Sequence, residues 1–300
     1  MDQNKKIIIH LVGGIGNQLF QLFYAKSISK LFNYNLILDK SSFFLDFKYK
    51  RKFALNFYSN YKASTIIDSI IFIVYRIIKK IFKIKKKKLS IGKYLFINDI
   101  SNKKFNKSLL SIPKKYSKIY IVGFFQSQKY FLDYKKIFLR DLVSHMFKKI
   151  KITYKLKKLI KKVKNKNSVL IGMRFFEENE KTQNQFGGIE NANFYNNSIK
   201  KILIRNKKAK FFIISTKDVT KFKNFKIPSK SFFIYNILNK LSDIQKIYLM
   251  SFFKNFIISN STFYWWSAYL AEFNNKGKVN IISSNKFKNN DAIPDKWLKS

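Results

Sequence analysis

Cysteine is absent from the 300-residue sequence, and histidine occurs only as His10 and His145. Without cysteine no disulfide, iron–sulfur or thiolate site can form, and two histidines this far apart argue against a histidine-based metal site. The sequence also contains no Asp-x-Asp triplet. Nothing in it therefore resembles the paired carboxylates that hold a metal-bound nucleotide, and we expect no metal cofactor.

Arginine is also scarce, although the chain is strongly basic. Only five of its 61 basic residues are arginines, and the formal net charge is +45. Such a charge ordinarily suggests a nucleic-acid or membrane partner. The chain is rich in the residue types that A/T-rich codons specify, such as Lys, Asn, Ile and Phe, so genome composition explains much of the charge. A nucleic-acid binder would use more arginine, and we expect no nucleic-acid partner.

No uninterrupted apolar segment is long enough to cross a membrane. Residues 1–6 are polar and lead directly into a short strand, without the apolar run of a signal peptide, which favours a cytoplasmic protein. Residues 66–82 are apolar but are interrupted by Asp68 and Arg76 and followed by lysines at 83 and 85–88. A span needs about 20 apolar residues. This stretch is either a basic amphipathic helix on a membrane surface or an ordinary docked helix with a solvated lysine tail.

The order of apolar segments predicts an α/β fold. A buried strand at 7–12, a glycine turn, an amphipathic helix and a second strand at 35–39 form a βαβ unit, which implies a parallel sheet. A second alternation of strands and helices runs from 169 to 283. We predict two Rossmann-like domains, 1–150 and 151–300, with a basic amphipathic insertion near 64–90. The cleft between two such facing domains is the default ligand site.

The first candidate site is the turn that contains Gly13, Gly14 and Gly16. Glycines let backbone N–H groups approach a ligand at the positive end of a helix, although a structural tight turn is the alternative. It is not the dinucleotide fingerprint, because the third glycine position is a leucine. Asn17 and Gln18 follow directly, and their amides suit hydrogen bonds to hydroxyls or phosphates.

Further candidates stand where later strands are predicted to end. Arg174 offers a planar fork suited to a diphosphate, the alternative being a surface salt bridge. Asp218 either accepts hydrogen bonds from a base or ribose or merely ends its strand. The run Asn260, Ser261 and Thr262 either binds the donor diphosphate or only caps the next helix. Trp265 and Trp266, one turn further on, either contact an acceptor or sugar or lie in the core.

Four segments resemble the family-11 glycosyltransferases, the bacterial-type α-1,2-fucosyltransferases. GGIGNQLFQ (13–21) is similar to the family's G-G-L-G-N-Q-M-F-Q, and GFFQSQKYF (123–131) to glycine-aromatic-x-Q-S-x-K-Y-F. ISNSTFYWWSAYL (258–270) resembles a segment containing A-N-S-T-F-S-W-W-x-A-x-L, and PDKW (294–297) a common family ending. The segments occur in the family's order and span nearly the whole chain.

A fifth segment departs from the family. Where the family has H-x-R-R-G-D-Y, which helps bind guanosine diphosphate, this chain has IGMRFFEE (171–178). Arg174 retains the first arginine, whereas Gly172 stands at the histidine position and Phe175 at the second arginine position. Phe176 and Glu177 replace Gly-Asp. The departure leaves the donor sugar open.

The resemblance implies a GT-B-like, inverting transferase that uses GDP-fucose, without a metal, to make an α-1,2 linkage on a galactoside of a bacterial surface glycan such as O-antigen or capsule. The amino-terminal domain would be the acceptor side and the carboxy-terminal domain the nucleotide-sugar side. Arg174 and Asn17 would be catalytic, with Glu177 as the base and Glu178 as the other carboxylate nearby. Gly13, Gly14, Gly16 and Gln18 would bind the donor, together with Asp218, Asn260, Ser261 and Thr262. The acceptor would be a glycan, either free or lipid-linked at the inner membrane face. The alternatives are a different nucleotide-sugar donor and an inactive sugar-binding relative.

Overall fold

The computed structural model describes residues 5–44, 46–47, 50–58, 61–101, 103–113, 115–175, 187–215, 218–234 and 238–300. They divide into two compact units, Met1–Phe138 and Leu139–Ser300. Each unit is built around its own six-stranded sheet.

The sheet of the amino-terminal unit is parallel except for one edge hairpin. Its strands run in the order β3-β2-β1-β6-β5-β4, and only β4 and β5 pair antiparallel. The central strands are almost entirely apolar because both faces of a parallel sheet are covered. The strands are β1 Lys6–His10, β2 Asn35–Asp39, β3 Lys62–Ala63, β4 Lys88–Ile91, β5 Tyr94–Asp99 and β6 Lys118–Gly123.

The helices of this unit are α1 Ile15–Phe32 and α2 Ile66–Ile81. Helix α1 connects β1 to the parallel strand β2, as the predicted βαβ unit requires. It ends at Asn33, which adopts a left-handed conformation with φ 57° and donates its N–H to the carbonyl of Ser29. Asparagine tolerates this conformation better than most residues, so it closes the helix without a glycine.

The sheet of the carboxy-terminal unit is wholly parallel, in the order β12-β11-β10-β7-β8-β9. Its strands are β7 Ser168–Met173, β8 Lys210–Ser215, β9 Ser231–Phe233, β10 Asn255–Ile258, β11 Asn280–Ser283 and β12 Leu298–Lys299. Helix α3 Lys135–Lys149 leads from one unit into the next. The later helices are α4 Tyr154–Val163, α5 Ala192–Arg205, α6 Asp243–Met250 and α7 Thr262–Asn274.

Both sheets are doubly wound. In the carboxy-terminal unit the chain moves outward from β7 to β9 and then returns to add β10 on the other side of β7. In the amino-terminal unit the chain also moves outward, from β1 to β3, but it then crosses to β4 at the opposite edge and returns inward through β5, so that the two halves of the sheet meet between β1 and β6. The predicted fold class, α/β with two Rossmann-like domains, is therefore confirmed. Such sheets bind ligands at the carboxyl ends of the strands that flank the reversal, which here are β7 and β10, and β1 and β6.

A buried polar cluster ties the carboxyl ends of β1 and β2 together. Asp39 is fully buried and lies 2.6 Å from His10 Nδ1 through its Oδ2 atom. It also accepts hydrogen bonds from the Tyr120 hydroxyl and, at 2.9 Å, from the Ser41 N–H. Burial opposes ionisation of this carboxyl, but the hydrogen bonds and the charge of His10 outweigh it and lower the pKa of Asp39 below its usual range.

None of the helices in the described part of the chain is both long enough and apolar enough to cross a membrane.

Candidate functional site

The glycine turn lies between β1 and α1, at the reversal of the amino-terminal sheet. Gly13 has a φ of +79°, a conformation that favours glycine, and a Cβ there would lie 2.6 Å from Asn17 Nδ2, so the Asn17 side chain would have to shift. Gly14 is extended and precedes the first helical residue, and no side chain caps the helix. Gly16 is buried within the first turn. The turn therefore places a helix start at the carboxyl edge of the sheet.

The structure corrects the predicted donor contact of Gln18. Its side chain is fully buried, and its Nε2 atom donates to the carbonyls of Gly13 at 2.8 Å and Lys52 at 3.0 Å. Its Oε1 atom accepts the N–H of Ala54 at 2.9 Å. The amide is already bonded within the protein, so Gln18 secures the 52–54 segment to the glycine turn and does not face a ligand.

Asn17 meets the second family segment. The side chain of Gln126, which follows β6, donates to Asn17 Oδ1 at 2.8 Å. The adjacent strand end is fixed by Gln21, whose Nε2 atom donates to the carbonyl of Gly123 at 3.0 Å. The structure thus joins the two amide-rich segments across the reversal between β1 and β6, and it leaves Asn17 half-buried.

Arg174 and Asn260 meet at the reversal of the carboxy-terminal sheet. Arg174 follows β7, and its Nη1 atom donates to the carbonyl of Asn260, which follows β10, at 3.1 Å. Asn260 is buried, and its side-chain amide donates to the carbonyls of Gly188 at 3.0 Å and Lys286 at 3.2 Å. One asparagine therefore links the segments after β7, β10 and β11, and it fixes the half-buried guanidinium beside them.

Ser261 and Thr262 begin helix α7 beside Arg174. Ser261 occupies the N-cap position in an extended conformation, yet its hydroxyl makes no capping hydrogen bond. The capping alternative is therefore not realised by this serine. The positive end of the helix dipole lies at this position, next to the carbonyl that Arg174 contacts.

The structure also corrects the predicted role of the tryptophan pair. Trp265 and Trp266 are both fully buried. Trp265 Nε1 donates to the carbonyl of Ala292 at 2.8 Å, and the ring stacks on Tyr269 at a centroid distance of 4.4 Å and lies 5.5 Å from Trp297. Both rings belong to the core of this unit and present no surface to an acceptor or sugar.

Two departures from the family motifs occupy one place in the structure. Gly172 stands at the family's histidine position, and Tyr264 stands where the family segment has serine. A Cβ on Gly172 would lie 2.7 Å from the Tyr264 ring. The Tyr264 hydroxyl lies 3.3 Å from the carbonyl oxygens of Met173 and Ile214, at the ends of β7 and β8. The tyrosine ring therefore fills the space that a side chain at 172 would need.

The structure says less about the remaining predicted site residues, Glu177, Glu178 and Asp218. Glu177 and Glu178 lie outside the described residues, so the predicted base stays a prediction. Asp218 is exposed and begins a short turn: its Oδ1 atom accepts from the Thr220 N–H at 3.0 Å and hydroxyl at 2.7 Å. These hydrogen bonds lower the pKa of Asp218. They give it a capping role, and its contact with a base or ribose stays a prediction.

Sequence reasoning missed Glu190 and Lys286. Glu190 is buried, accepts a hydrogen bond from the Ser284 hydroxyl and lies 3.5 Å from Lys286 Nζ. Lys286 Nζ also donates to the carbonyl of Ile189 at 2.7 Å. Glu190 belongs to no predicted strand or motif. The nearest feature in the sequence that could have indicated it is the glycine pair at 187 and 188. In the structure both glycines adopt positive φ.

A cavity of about 410 Å³ lies at the other end of this sheet, against residues such as Lys166, Asn206, Asn255 and Asn280. These positions precede or begin strands, whereas ligands of doubly wound sheets bind at the carboxyl ends. We therefore place the candidate site at Arg174 and Asn260 and not in this cavity. Among the described residues, no three His, Cys, Asp or Glu side chains are grouped so that they could hold a metal ion.

The two doubly wound sheets define an α/β protein of the Rossmann-like class. The sequence matches Glycosyl transferase family 11 over residues 6–298, so the chain belongs to this family and is a glycosyltransferase. The predicted family resemblance is thereby confirmed. The chain is similar to an α-1,2-colitosyltransferase of Escherichia coli, with 25% identity over 308 residues that cover 98% of each protein.

Solved structures with a similar fold include fucosyltransferases. An Arabidopsis thaliana FUT1 mutant in complex with GDP is 10% identical, with a TM-score of 0.49 and coverage of 92% of this chain and 69% of that one. The fucosyltransferase NodZ from Bradyrhizobium is 12% identical, with a TM-score of 0.44 and coverage of 89% and 92%. At such scores the likeness adds nothing to the family assignment.

The Gly172–Tyr264 contact predicts coupled stability effects. Gly172→Ala should lower the free energy of unfolding by about 1–3 kcal/mol, because the added Cβ overlaps a buried ring. In a Tyr264→Ser background the same change should cost much less, since the ring is gone. Urea unfolding of the single and double variants measures this coupling. Equal costs of Gly172→Ala in the two backgrounds would show that the ring does not occupy this space.

Proposed function

We propose that this glycosyltransferase moves fucose from GDP-fucose to a galactoside hydroxyl, with inversion, and forms an α-1,2 linkage in a bacterial surface glycan. Membership of family 11 supports the reaction class. The observation that carries the proposal is the hydrogen bond between Arg174 and the Asn260 carbonyl beside the start of α7. It brings a guanidinium and a helix N-terminus together at the sheet reversal, where a diphosphate would bind.

In this proposal the protein has to neutralise the charge that develops on the leaving diphosphate. Arg174 supplies a positive charge whose position is fixed by Asn260, and the first N–H groups of α7 supply aligned dipoles. Fixed charges and dipoles of this kind need no rearrangement during the reaction. The glycine turn and Asn17 belong to the amino-terminal unit, which we propose as the acceptor side. Glu177 remains the proposed base for the acceptor hydroxyl.

A second donor, GDP-colitose, is favoured by a specific observation. The similar Escherichia coli protein is a colitosyltransferase and matches nearly the whole chain. Colitose lacks one ring hydroxyl of fucose, so a site for it needs fewer polar groups. Phe175 replaces the second arginine of a motif that helps bind guanosine diphosphate, and its ring packs edge-on against Phe222 at 5.1 Å, so this departure does not itself favour either sugar. An inactive sugar-binding relative is the remaining alternative.

We also propose that the protein works in the cytoplasm, on the inner face of the cytoplasmic membrane, where a lipid-linked glycan acceptor would be presented. The basic, apolar segment around α2 supports a peripheral contact with that surface.

The donor is tested by measuring transfer from a panel of nucleotide sugars, including GDP-fucose, GDP-colitose, GDP-mannose and UDP-galactose. We expect a GDP-linked deoxy sugar to be the preferred donor, since the family segments resemble a GDP-fucose site. Isothermal titration with GDP gives an independent measure of donor binding. Absence of any nucleotide affinity would favour the inactive relative, and preference for a UDP sugar would contradict the proposed donor class.

Transfer should proceed at an unchanged rate in EDTA. The proposal assigns the diphosphate charge to Arg174 and the start of α7, and not to a metal ion. Initial rates with and without chelator provide the measurement, and melting curves under both conditions control for unfolding. Complete loss of activity that Mn²⁺ or Mg²⁺ restores would refute this part of the mechanism.

Arg174→Ala should lower kcat by about 10²–10³-fold with a smaller effect on KM, because the guanidinium acts as leaving-group charge develops. Arg174→Lys should recover only part of the loss, since lysine keeps the charge but lacks the planar fork. Arg140→Ala, at an exposed position of α3, is the matched control. Near-normal kcat in folded Arg174→Ala would show that this residue does not stabilise the leaving group.

A further inference from the structure

Helix α2 presents a continuous apolar stripe to solvent. Seven apolar residues of α2 lie on one side of the helix, because most of them are three or four positions apart. Phe82 extends this stripe beyond the end of the helix. Each of these eight side chains is between 41% and 80% exposed. They are Ile66, Ile67, Ile70, Ile73, Val74, Ile77, Ile81 and Phe82. Soluble monomers rarely leave so many large apolar side chains together in water.

The opposite side of α2 is fixed to the amino-terminal sheet. Buried Asp68 forms a capping box with Thr65, accepts the Tyr94 hydroxyl at 2.9 Å and lies 3.2 Å from Lys118 Nζ. Tyr75 stacks on Phe96 at a centroid distance of 4.1 Å. These contacts set the rotation of the helix. The apolar stripe therefore cannot turn inward without exposing a buried carboxylate and two aromatic rings.

Cations border the stripe. Arg76 and Lys80 are exposed beside it on the helix, and Lys83, Lys85 and Lys86 are exposed just after its end. The next two lysines differ, because Lys87 pairs with Asp99 at 2.8 Å and Lys88 donates to the carbonyls of Ser108 and Ser111. The lysines that follow the helix thus divide into an exposed group and a group held by internal partners.

This arrangement of an apolar stripe with cations at its border fits an anionic bilayer. The apolar side chains would enter the boundary between headgroups and acyl chains, while the cations would meet lipid phosphates. A symmetric pair of copies fits less well. An interface formed by the same patch on both copies brings the same cations together, in a chain whose net charge is already +45.

We propose that α2 is a membrane-docking element that lies in the plane of an anionic membrane surface with the Ile70, Ile73 and Ile77 side inserted. It deepens the membrane location proposed above by naming the element and the side chains. It does not depend on the identity of the donor sugar.

Vesicle cosedimentation tests the two halves of this surface separately. The apolar variant carries Ile70→Gln, Ile73→Gln and Ile77→Gln, and the charge variant carries Lys80→Gln, Lys83→Gln, Lys85→Gln and Lys86→Gln. Binding to vesicles of phosphatidylcholine and phosphatidylglycerol should fall at least ~10-fold in each variant, given the contribution of each buried apolar group and each lysine. The control for the charge variant replaces four exposed lysines elsewhere, Lys155, Lys157, Lys158 and Lys200.

Insertion can be observed directly because the chain contains no cysteine. A fluorophore sensitive to polarity, attached through Ile77→Cys, should shift to the blue on adding anionic vesicles. The same label at Ile204→Cys, an exposed apolar position on α5, should not shift. The proposal would be overturned if the fluorescence of the label at position 77 did not shift, or if both glutamine variants bound vesicles as well as the wild type does.

Two further measurements separate the competing outcomes. The first is sedimentation of the protein alone. If the wild type is a dimer and the apolar variant is a monomer, a second copy covers the stripe, and the proposal is again overturned. Transfer to a soluble acceptor should be the same in wild type and both variants. If no protein transfers sugar while vesicle binding behaves as expected, the proposed function fails and the docking proposal stands.

Discussion

The hydrogen bonds of Asn260 hold the candidate site together. Its carbonyl accepts from Arg174, and the two N–H bonds of its side-chain amide reach the carbonyls of Gly188 and Lys286. An aspartate could not make the last two bonds, because an ionised carboxylate only accepts. The amide is therefore specifically required to join these loops. The guanidinium meets the same residue, since its Nη1 atom donates to the Asn260 carbonyl.

The order of strands explains why residues so distant in sequence meet. Arg174 and Asn260 are 86 residues apart, but β7 and β10 are neighbours at the reversal of the sheet. Asn17 and Gln126 are 109 residues apart and meet in the same way across β1 and β6. In both units the residues that follow the two central strands come together. The polar segments after those strands were recognisable in the sequence because they interrupt apolar runs.

Burial was the property that the sequence could not decide. An amide such as Gln18 suits a ligand or the backbone equally well, and here the 52–54 segment uses it. The tryptophans of α7 suit either a sugar or a core, and the tail places Trp297 against Trp265. Neither partner segment is near in sequence. The departure at Gly172 likewise indicated only a changed donor site, whereas the structure relates it to Tyr264.

Helix α2 shows why a pattern of charge and hydrophobicity can leave two alternatives open. Its sequence is amphipathic, with an apolar side and a side that carries Asp68, Arg76, Lys79 and Lys80, which fits both a helix packed on its domain and a helix on a membrane. Asp68, Phe72 and Tyr75 are buried, as expected for a helix packed on its domain. The apolar stripe on the other side is exposed, as expected for a helix on a membrane. The lysines that follow the helix likewise divide into some with internal partners and some that are exposed. The position of each lysine in the fold sets its surroundings. Lys87 and Lys88 have internal partners, whereas Lys83 and Lys85 are exposed.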